Sequence, residues 1–298
     1  SSLIPATTLV TRWFRKKRAM ALSIASTGLS LGGVILTPLS ILMVDSLGFN
    51  IAAPLIGVIY LVGVIPVSWI FLRVSPESIG VLPDGEQTQG RTRLDSADSV
   101  GSTNDGLRFR EAIRGRFFWA LSLAYIFLMA AQVGGIAHQY GLVREQLSEA
   151  ETAIAVAILP VFSIIGRLFG GWIVGQISIR KFAIVMMFLQ ALSLSLLSIG
   201  YSALTLCVGL AIFGASVGNL LMLQPLLIAE AFGVRDYAKI FSLSNLMSSW
   251  GTAMGPAVLG IVYAANTNLY QWPYAVAAMS GALGLSLFLV GGNIIKQN

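Results

Sequence analysis

The sequence predicts an all-α membrane protein, a helical bundle with about eight transmembrane helices and the end of one more. Only 11% of the 298 residues are charged, whereas soluble domains carry about 25%. The apolar residues also form long runs without Asp, Glu, Lys or Arg, at 19–44, 46–72, 117–143, 182–229 and 240–295. Lipid offers the backbone no hydrogen-bonding partner, so these runs must be helical.

Polar turns divide these runs into individual helices. The end of one helix is predicted at 1–13. Eight spans follow, at 19–44, 49–72, 116–142, 152–178, 182–200, 203–229, 239–265 and 270–294. Each is long enough to cross the hydrocarbon core of a bilayer, which takes about 20 apolar residues.

Basic residues lie in every second loop of this layout. One side of the predicted bundle holds Arg12, Arg15, Lys16, Lys17, Arg18, seven arginines at 73–116, Arg180, Lys181, Arg235, Lys239 and Lys296. The other side holds only Arg144. Cytoplasmic loops are enriched in Lys and Arg. The sequence therefore predicts a multi-pass protein of the plasma membrane with its central loop and C-terminus in the cytoplasm, and the net charge of +6 does not indicate nucleic-acid binding.

One long hydrophilic segment divides the chain into two parts. Residues 74–113 are rich in Ser, Gly, Asp and Arg, and 88–107 has the composition of a disordered segment. Residues 108–116 are expected to form a short amphipathic helix at the membrane surface. The predicted domains are the remainder of an N-terminal bundle at 1–73, a cytoplasmic central loop at 74–113 and a six-helix C-terminal bundle at 114–298.

A weak internal repeat relates the two bundles. Pro5 and Pro225 each precede an aromatic residue, a basic loop and a span rich in glycine. Parallel repeats of six helices build one large class of secondary transporters. On that pattern 1–13 is the end of a fourth helix, and we expect the N-terminal helices before it to be missing from this sequence.

Four stretches resemble the major facilitator superfamily, and the resemblance covers the whole chain. WFRKKRAMALSIASTGLSLGG at 13–33 resembles the loop and helix that follow helix four, and SPESIGVLPDG at 75–85 resembles the segment after helix six. IGRLFGG at 165–171 and AEAFGVR at 229–235 resemble helix eight and the end of helix ten. More narrowly, the chain is similar to the monocarboxylate transporter and oxalate/formate antiporter branch. The resemblance implies a secondary carrier of a small organic anion, such as a monocarboxylate, that works by alternating access with a coupling proton or a counter-anion.

The chain departs from the pattern of those relatives at three places. In those relatives a loop after helix eight with the pattern Asp-Arg-x-Gly helps to close the cytoplasmic side, and we call it the gating loop. Here the pattern is replaced by Gly-Gln-Ile-Ser at 175–178, so only Arg180 and Lys181 remain of the gating loop. Ser163 stands where animal monocarboxylate carriers have an Asp. The helix-eleven Lys of the oxalate exchanger has no counterpart, because 240–265 carries no charge.

Arg167 is the strongest candidate for a substrate-binding residue. It lies about 15 residues into its predicted span, which at about 1.5 Å per residue is roughly 20 Å deep. A charge at that depth is costly and usually functional, and a guanidinium fork suits a carboxylate. The resemblance implies the same role for the matching arginine. The alternative is a structural arginine that pairs with backbone carbonyls or with a carboxylate on another helix.

Four further polar side chains complete the predicted substrate site. His138 is the only histidine; it could titrate or donate to an anion, or bond to water at the level of the headgroups. Gln132 lies near the middle of the same span. Asn219 and Asn245 lie on the two gating helices, and each could equally join two helices.

No pattern in the sequence predicts an enzyme, a cofactor or a metal site. No Asp or Glu lies inside a predicted span, Cys207 is the only cysteine, and no Gly-rich stretch has the strand and Lys that phosphate binding needs. The expected partners are the lipid bilayer and a small anionic solute. The alternatives are the same fold carrying another small solute, or a non-transporting membrane protein.

Cysteines introduced at Asp98 and Asn266, with Cys207 replaced by serine, should react with a membrane-impermeant thiol reagent from opposite sides of the membrane. The alternation of basic loops puts Asp98 in the cytoplasm and Asn266 outside. The measurement compares labelling of intact cells with labelling of inverted vesicles. Labelling of both cysteines from one side would contradict the predicted layout.

Overall fold

The computed structural model describes residues 3–14, 17–71, 106–174, 176–200, 202–266 and 269–292. Within these ranges the chain is helical, apart from one isolated antiparallel bridge between Gly106 and Gly233. The helices are α1 Leu3–Trp13, α2 Arg18–Leu47, α3 Phe49–Phe71, α4 Phe109–Ala112, α5 Arg116–Arg144, α6 Glu149–Ile173, α7 Ile179–Ile199, α8 Ala203–Phe232, α9 Tyr237–Ala265 and α10 Gln271–Val290. The predicted all-α fold is confirmed.

Each of the eight predicted spans corresponds to one long helix. Among the described residues, six helices are long and apolar enough to cross a membrane, namely α3, α5, α6, α7, α8 and α10. The other two long helices, α2 and α9, have 30 and 29 residues. The protein is therefore a multi-pass membrane protein.

Two details differ from the sequence-based expectation. The amphipathic helix expected at 108–116 is only the single turn α4, because Gly115 is extended and Arg116 already begins α5. Helix α6 ends at Ile173, five residues before the predicted 178, because Ser178 caps the next helix by accepting a hydrogen bond from the backbone N–H of Lys181. Most of the predicted disordered segment at 88–107 lies outside the described residues.

Helices α5 and α9 make a close, glycine-mediated contact. A Cβ atom on Gly251 would overlap the carbonyl oxygen of Ile126, and one on Gly255 would overlap that of Ala130. Small residues let helix backbones approach closely in membranes, where no hydrophobic force drives helices together. Gly28 and Gly32 hold the corresponding places in α2, and no atom of the described residues lies within 4 Å of a Cβ added to either.

Helices α6 and α8 form the second close pair. Cβ atoms on Gly214 and Gly218 would overlap the carbonyl oxygens of Leu159 and Ser163. The pair includes Pro160, which has no N–H and so leaves the carbonyl of Val156 without its usual helical donor. That oxygen instead accepts a hydrogen bond of 2.8 Å from the Nε2 of Gln139 on α5, as the lipid environment requires.

The apolar core lies between α5, α7, α8, α9 and α10 and forms two clusters. One surrounds Phe118, Leu223 and Phe241, and the other surrounds Leu194, Phe213 and Tyr274. Helix α3 packs against α2 and is mostly exposed along its apolar length, as expected for a surface that faces lipid. Helix α2 also packs against α6 and α8, and so connects α1–α3 to the other helices.

Gly251→Ala should destabilise the protein by about 1–3 kcal/mol, the usual cost of overpacking, because the added methyl group would overlap the Ile126 carbonyl. Gly260→Ala on the same helix is the matched control. The nearest atom to its added carbon is 3.7 Å away in His138, and alanine is the better helix former by about 1 kcal/mol. The measurement is thermal unfolding in detergent; equal midpoints for the two variants would contradict the close α5–α9 contact.

Candidate functional site

Arg167 is buried between α6, α8 and α2, with 1% of its surface exposed. Its Nε donates to the carbonyl of Gly218 on α8 over 3.0 Å, and one terminal nitrogen donates to the carbonyl of Ser26 on α2. The other terminal nitrogen donates to the Oγ of Ser163, one turn earlier on α6, over 3.3 Å. Arg167 therefore joins three helices through neutral oxygen acceptors.

The positive charge of Arg167 has no carboxylate partner among the described residues, where the one ion pair joins Lys239 to Asp236. A guanidinium carries five N–H groups. Three of them are used by Gly218, Ser26 and Ser163. One N–H on each terminal nitrogen is thus left without an acceptor in the described part of the chain.

The position of Arg167 along its helix differs from the expected one. Helix α6 runs from Glu149 to Ile173, so Arg167 lies about 27 Å from its start and about 9 Å, or six residues, from its end at 1.5 Å per residue. Its partner Gly218, in contrast, lies in the middle of α8, which extends to Phe232. The side chain is thus interior, but closer to the end of α6 that leads to Arg180 and Lys181 than the sequence suggested.

Asn219 lies in the same contact between α6 and α8. Its side-chain nitrogen donates to the carbonyls of Gly166 and Ala215 over 2.9 and 2.8 Å. Its Oδ1 is buried and accepts no hydrogen bond in the described part of the protein. A Cβ on Gly170 would overlap this oxygen, so glycine is needed at 170 to admit the amide. Of the predicted residues, Asn219 is the one placed in the same helix contact as Arg167.

Gln132 is 2% exposed, and its Oε1 has no donor among the described residues. It lies midway between Tyr125 and Gln139, seven residues from each and thus on nearly the same helix face. Tyr125 donates to the carbonyl of Leu220 on α8 over 3.1 Å, and Gln139 donates to α6. Gln132 therefore lies on the face of α5 that turns toward α6 and α8.

His138 joins α5 to α9. Its Nε2 lies 3.0 Å from the carbonyl oxygen of Pro256, and because a carbonyl can only accept, Nε2 carries the proton. The ring also lies 5.8 Å from that of Tyr270, between centroids. The structure does not bring His138 to Arg167, since the two contact different helix pairs.

Asn245 is half-buried on α9, and its backbone carbonyl accepts hydrogen bonds from Ser248 and Ser249. A neighbouring polar cluster was not predicted from the sequence. Gln224 donates to Ser244 over 3.1 Å, Ser122 donates to the same hydroxyl over 3.0 Å, and Ser248 lies 3.4 Å from Gln224. The available signal was the spacing of Ser244 and Ser248, one turn apart on α9.

The two predicted gating residues lie at the start of α7. The guanidinium of Arg180 lies 5.6 Å above the ring centroid of Phe288 on α10, a cation–π contact. Lys181 is exposed. Among the described residues, the contact of Arg180 is thus with α10.

Helix α2 is fixed to α6 and α8 by a small set of polar contacts, which we call the α2 seam. Its members are the Arg167–Ser26 hydrogen bond, a bond of 2.7 Å from the Ser23 hydroxyl to the sulfur of Met222 on α8, and Gly171. A Cβ on Gly171 would overlap the Ser23 hydroxyl. The seam links the part of the chain before the central loop to the six helices after it.

Comparison with solved structures places nearly the whole chain on one known fold. The fucose:proton symporter FucP of E. coli superposes with a TM-score of 0.65 at 16% identity, over 97% of this chain and 72% of that protein. The human organic anion transporter MFSD10 gives 0.65 at 16% identity, over 95% of this chain and 66% of that protein. A bacterial homologue of the human lysosomal transporter Spinster gives 0.51 at 18% identity, over 96% and 72% of the two chains. Identities this low establish the fold alone.

No curated protein matches the sequence. The family model described as Major Facilitator Superfamily matches residues 1–141 and 124–293. These two matches together cover nearly the whole chain, and they agree with the helical architecture and with its structural neighbours. The chain belongs to the major facilitator superfamily, a family of multi-pass membrane transporters.

Proposed function

We propose that this protein is a secondary active transporter of a small organic anion, such as a monocarboxylate, and that Arg167 binds the carboxylate. The observation that carries the proposal is the buried charge of Arg167, which has three neutral acceptors and no carboxylate among the described residues. An unpaired buried charge is costly. A substrate carboxylate would supply the missing negative charge.

The geometry of the guanidinium supports a carboxylate ligand in particular. One N–H on each terminal nitrogen is unused in the described structure, and a carboxylate can accept both at once. Lysine could not do this, because its ammonium is a point charge on a flexible stem. A cationic solute would be repelled by Arg167, which argues against that alternative.

Asn219 is the residue best placed to assist, because it lies in the same α6–α8 contact and has a buried oxygen without a donor. We propose that it accepts a hydrogen bond from a hydroxyl or a protonated group of the solute. Gln132 offers a second such oxygen on α5. We assign His138 and Asn245 a smaller contribution to substrate binding. The ring of His138 is already hydrogen-bonded to the carbonyl of Pro256.

The structural neighbours include a protein described as carrying a neutral sugar and one described as carrying organic anions. FucP is described as a fucose:proton symporter and MFSD10 as an organic anion transporter. Coupling by a proton and exchange for a counter-anion are both compatible with Arg167. We favour the anion over a neutral solute because a neutral solute would leave the Arg167 charge uncompensated.

Alternating access requires the two helical bundles to move relative to each other about the site. We propose that α1–α3 belong to one bundle and α5–α10 to the other, with residues 74–113 connecting them in the cytoplasm of a cell whose plasma membrane holds the protein. On this arrangement the α2 seam lies between the bundles. Arg167 would then contact the substrate and the opposite bundle with the same side chain.

Arg167→Gln should lower uptake of a short-chain monocarboxylate into proteoliposomes at least tenfold, because hydrogen bonds to charged groups contribute about 1.5–3 kcal/mol each. Arg167→Lys should recover only part of the rate, since it keeps the charge and loses the planar pair of donors. The exposed Arg144→Gln is the matched control and should transport at the unaltered rate.

Folding must be measured beside uptake, because removal of a buried side chain can also disturb the bundle. Size-exclusion elution and the thermal midpoint serve this purpose. A well-folded Arg167→Gln variant that transports the monocarboxylate at the unaltered rate would refute the anion-carrier proposal. Selective uptake of a neutral sugar by both forms would favour the neutral-solute alternative.

A covalent link across the α2 seam should stop transport. Cysteines at Ser23 and Met222, joined by a short bifunctional thiol reagent in a Cys207→Ser background, would hold α2 against α8 and prevent the bundles from separating. The control pair replaces Ser122 and Ser244, whose hydroxyls are 3.0 Å apart within the six-helix part. Uptake should fall to background for the first pair and persist for the second; full transport by the linked first pair would contradict motion at the seam.

A further inference from the structure

A pocket of about 480 Å³ opens where α5 begins and where α8 and α10 end. Its walls are mainly apolar and include Leu107, Phe117, Phe232 and Val290, while Arg116 and Glu111 contribute its charged groups. Phe117 packs against Phe232, with ring centroids 6.1 Å apart. The pocket lies at the helix ends, away from Arg167, and the proposed transport mechanism makes no use of it.

One wall of the pocket is the segment 106–115, which we call the strap. The strap is held in place by the backbone. Leu107 N–H donates to the carbonyl of Phe232 over 2.9 Å, and Phe109 N–H donates to the carboxylate of Asp236 over 2.8 Å. The bond from Phe109 lowers the pKa of Asp236 below its ordinary value. These two hydrogen bonds therefore hold the strap in the position in which it forms a wall of the pocket.

The strap and the first residue of α5 are strongly basic. Arg108, Arg110, Arg114 and Arg116 are all exposed, and none of them forms an ion pair with a described carboxylate. Glu111 is the one acidic residue in this stretch, and it is engaged by the backbone N–H of Arg108 over 2.9 Å. Four arginines and one glutamate give the stretch 106–116 an excess of positive charge, and Arg116 is the arginine that lines the apolar pocket.

The pocket also lies at the level where a membrane changes from hydrocarbon to headgroups. The apolar helix α5 begins at Arg116, and α10 ends at Val290. Trp119 is half-exposed at 46%, and its indole N–H donates to the carbonyl of Ile113 over 2.7 Å. Exposed tryptophans are enriched at this interface, and a guanidinium there meets the phosphates of lipids.

We propose that this pocket binds an anionic phospholipid, with part of an acyl chain against Phe117, Phe232 and Val290 and the headgroup phosphate beside Arg116. Apolar walls match the chain, and the guanidinium fork matches the phosphate. Arg110 and Arg114 add to the local positive potential and favour an anionic headgroup over a zwitterionic one. The lipid thus rests against the strap and the ends of three helices.

The test measures lipid retention by native mass spectrometry and the thermal midpoint of the purified protein in detergent. Phosphatidylglycerol should remain bound and raise the midpoint, and phosphatidylcholine should do so weakly or not at all. The double variant R114Q/R116Q should weaken phosphatidylglycerol binding by roughly tenfold or more. Arg144→Gln, which removes an exposed arginine at the opposite end of α5, should leave it unchanged.

A second variant separates the pocket from the charge. Ala231→Phe fills the pocket from the end of α8 and keeps every arginine, and it should also weaken phosphatidylglycerol binding. Normal size-exclusion elution of each variant excludes a folding defect. Three outcomes would each overturn the proposal. Equal binding of phosphatidylcholine would show that the headgroup charge is not needed, and equal stabilisation by inorganic phosphate alone would show that a lipid is not needed. Unaltered phosphatidylglycerol binding by Ala231→Phe would show that the pocket is not needed.

Discussion

The interior of this protein is organised around one buried guanidinium. Arg167 donates to Gly218 on α8, to Ser26 on α2 and to Ser163 on its own helix, so a single side chain fixes the relative positions of three helices. Such an arrangement is stable only because backbone carbonyls of α2 and α8 are close enough to accept. Gly218 provides that closeness on α8, because any larger residue there would separate α8 from Ser163.

The need for close approach of helix backbones also explains the two glycine-mediated helix pairs. Inside a bilayer, association depends on contact between backbones and on hydrogen bonds rather than on exclusion of water. The α5–α9 and α6–α8 pairs supply the backbone contact. Polar side chains such as Gln139, Asn219 and Gln224 supply the hydrogen bonds. Each of these amides bonds to a neighbouring helix, so the polar residues of the spans are largely part of the framework that holds the bundle together.

The sequence was sufficient to predict the helices and their order. Charge-free runs can only be helices in lipid, and the helix ends differ from the predicted ones by a few residues, most at α6, where a serine cap and not hydrophobicity sets the boundary. The candidate site was predictable only in part. Arg167 stands out as a charge in an apolar run, but two of its three acceptors are backbone carbonyls, which have no sequence signature. The serines around Gln224 offer only the one-turn spacing of Ser244 and Ser248 as a signal, and that signal is weak because serine is common on every face of these helices.

The bridge between Gly106 and Gly233 has a consequence for how the central loop can vary in length. Gly106 has a φ of +133° and Gly233 a φ of +74°, values that L-residues with side chains rarely adopt, and a Cβ on Gly106 would lie 2.5 Å from the carbonyl oxygen of Phe232. A slip of one residue would put Asp105 or Leu107 into this conformation, so the strap has a single permitted register. Insertions or deletions before Gly106 therefore cannot propagate into the strap. The connection between the two halves of the chain can therefore change in length without changing the position of the strap that follows it.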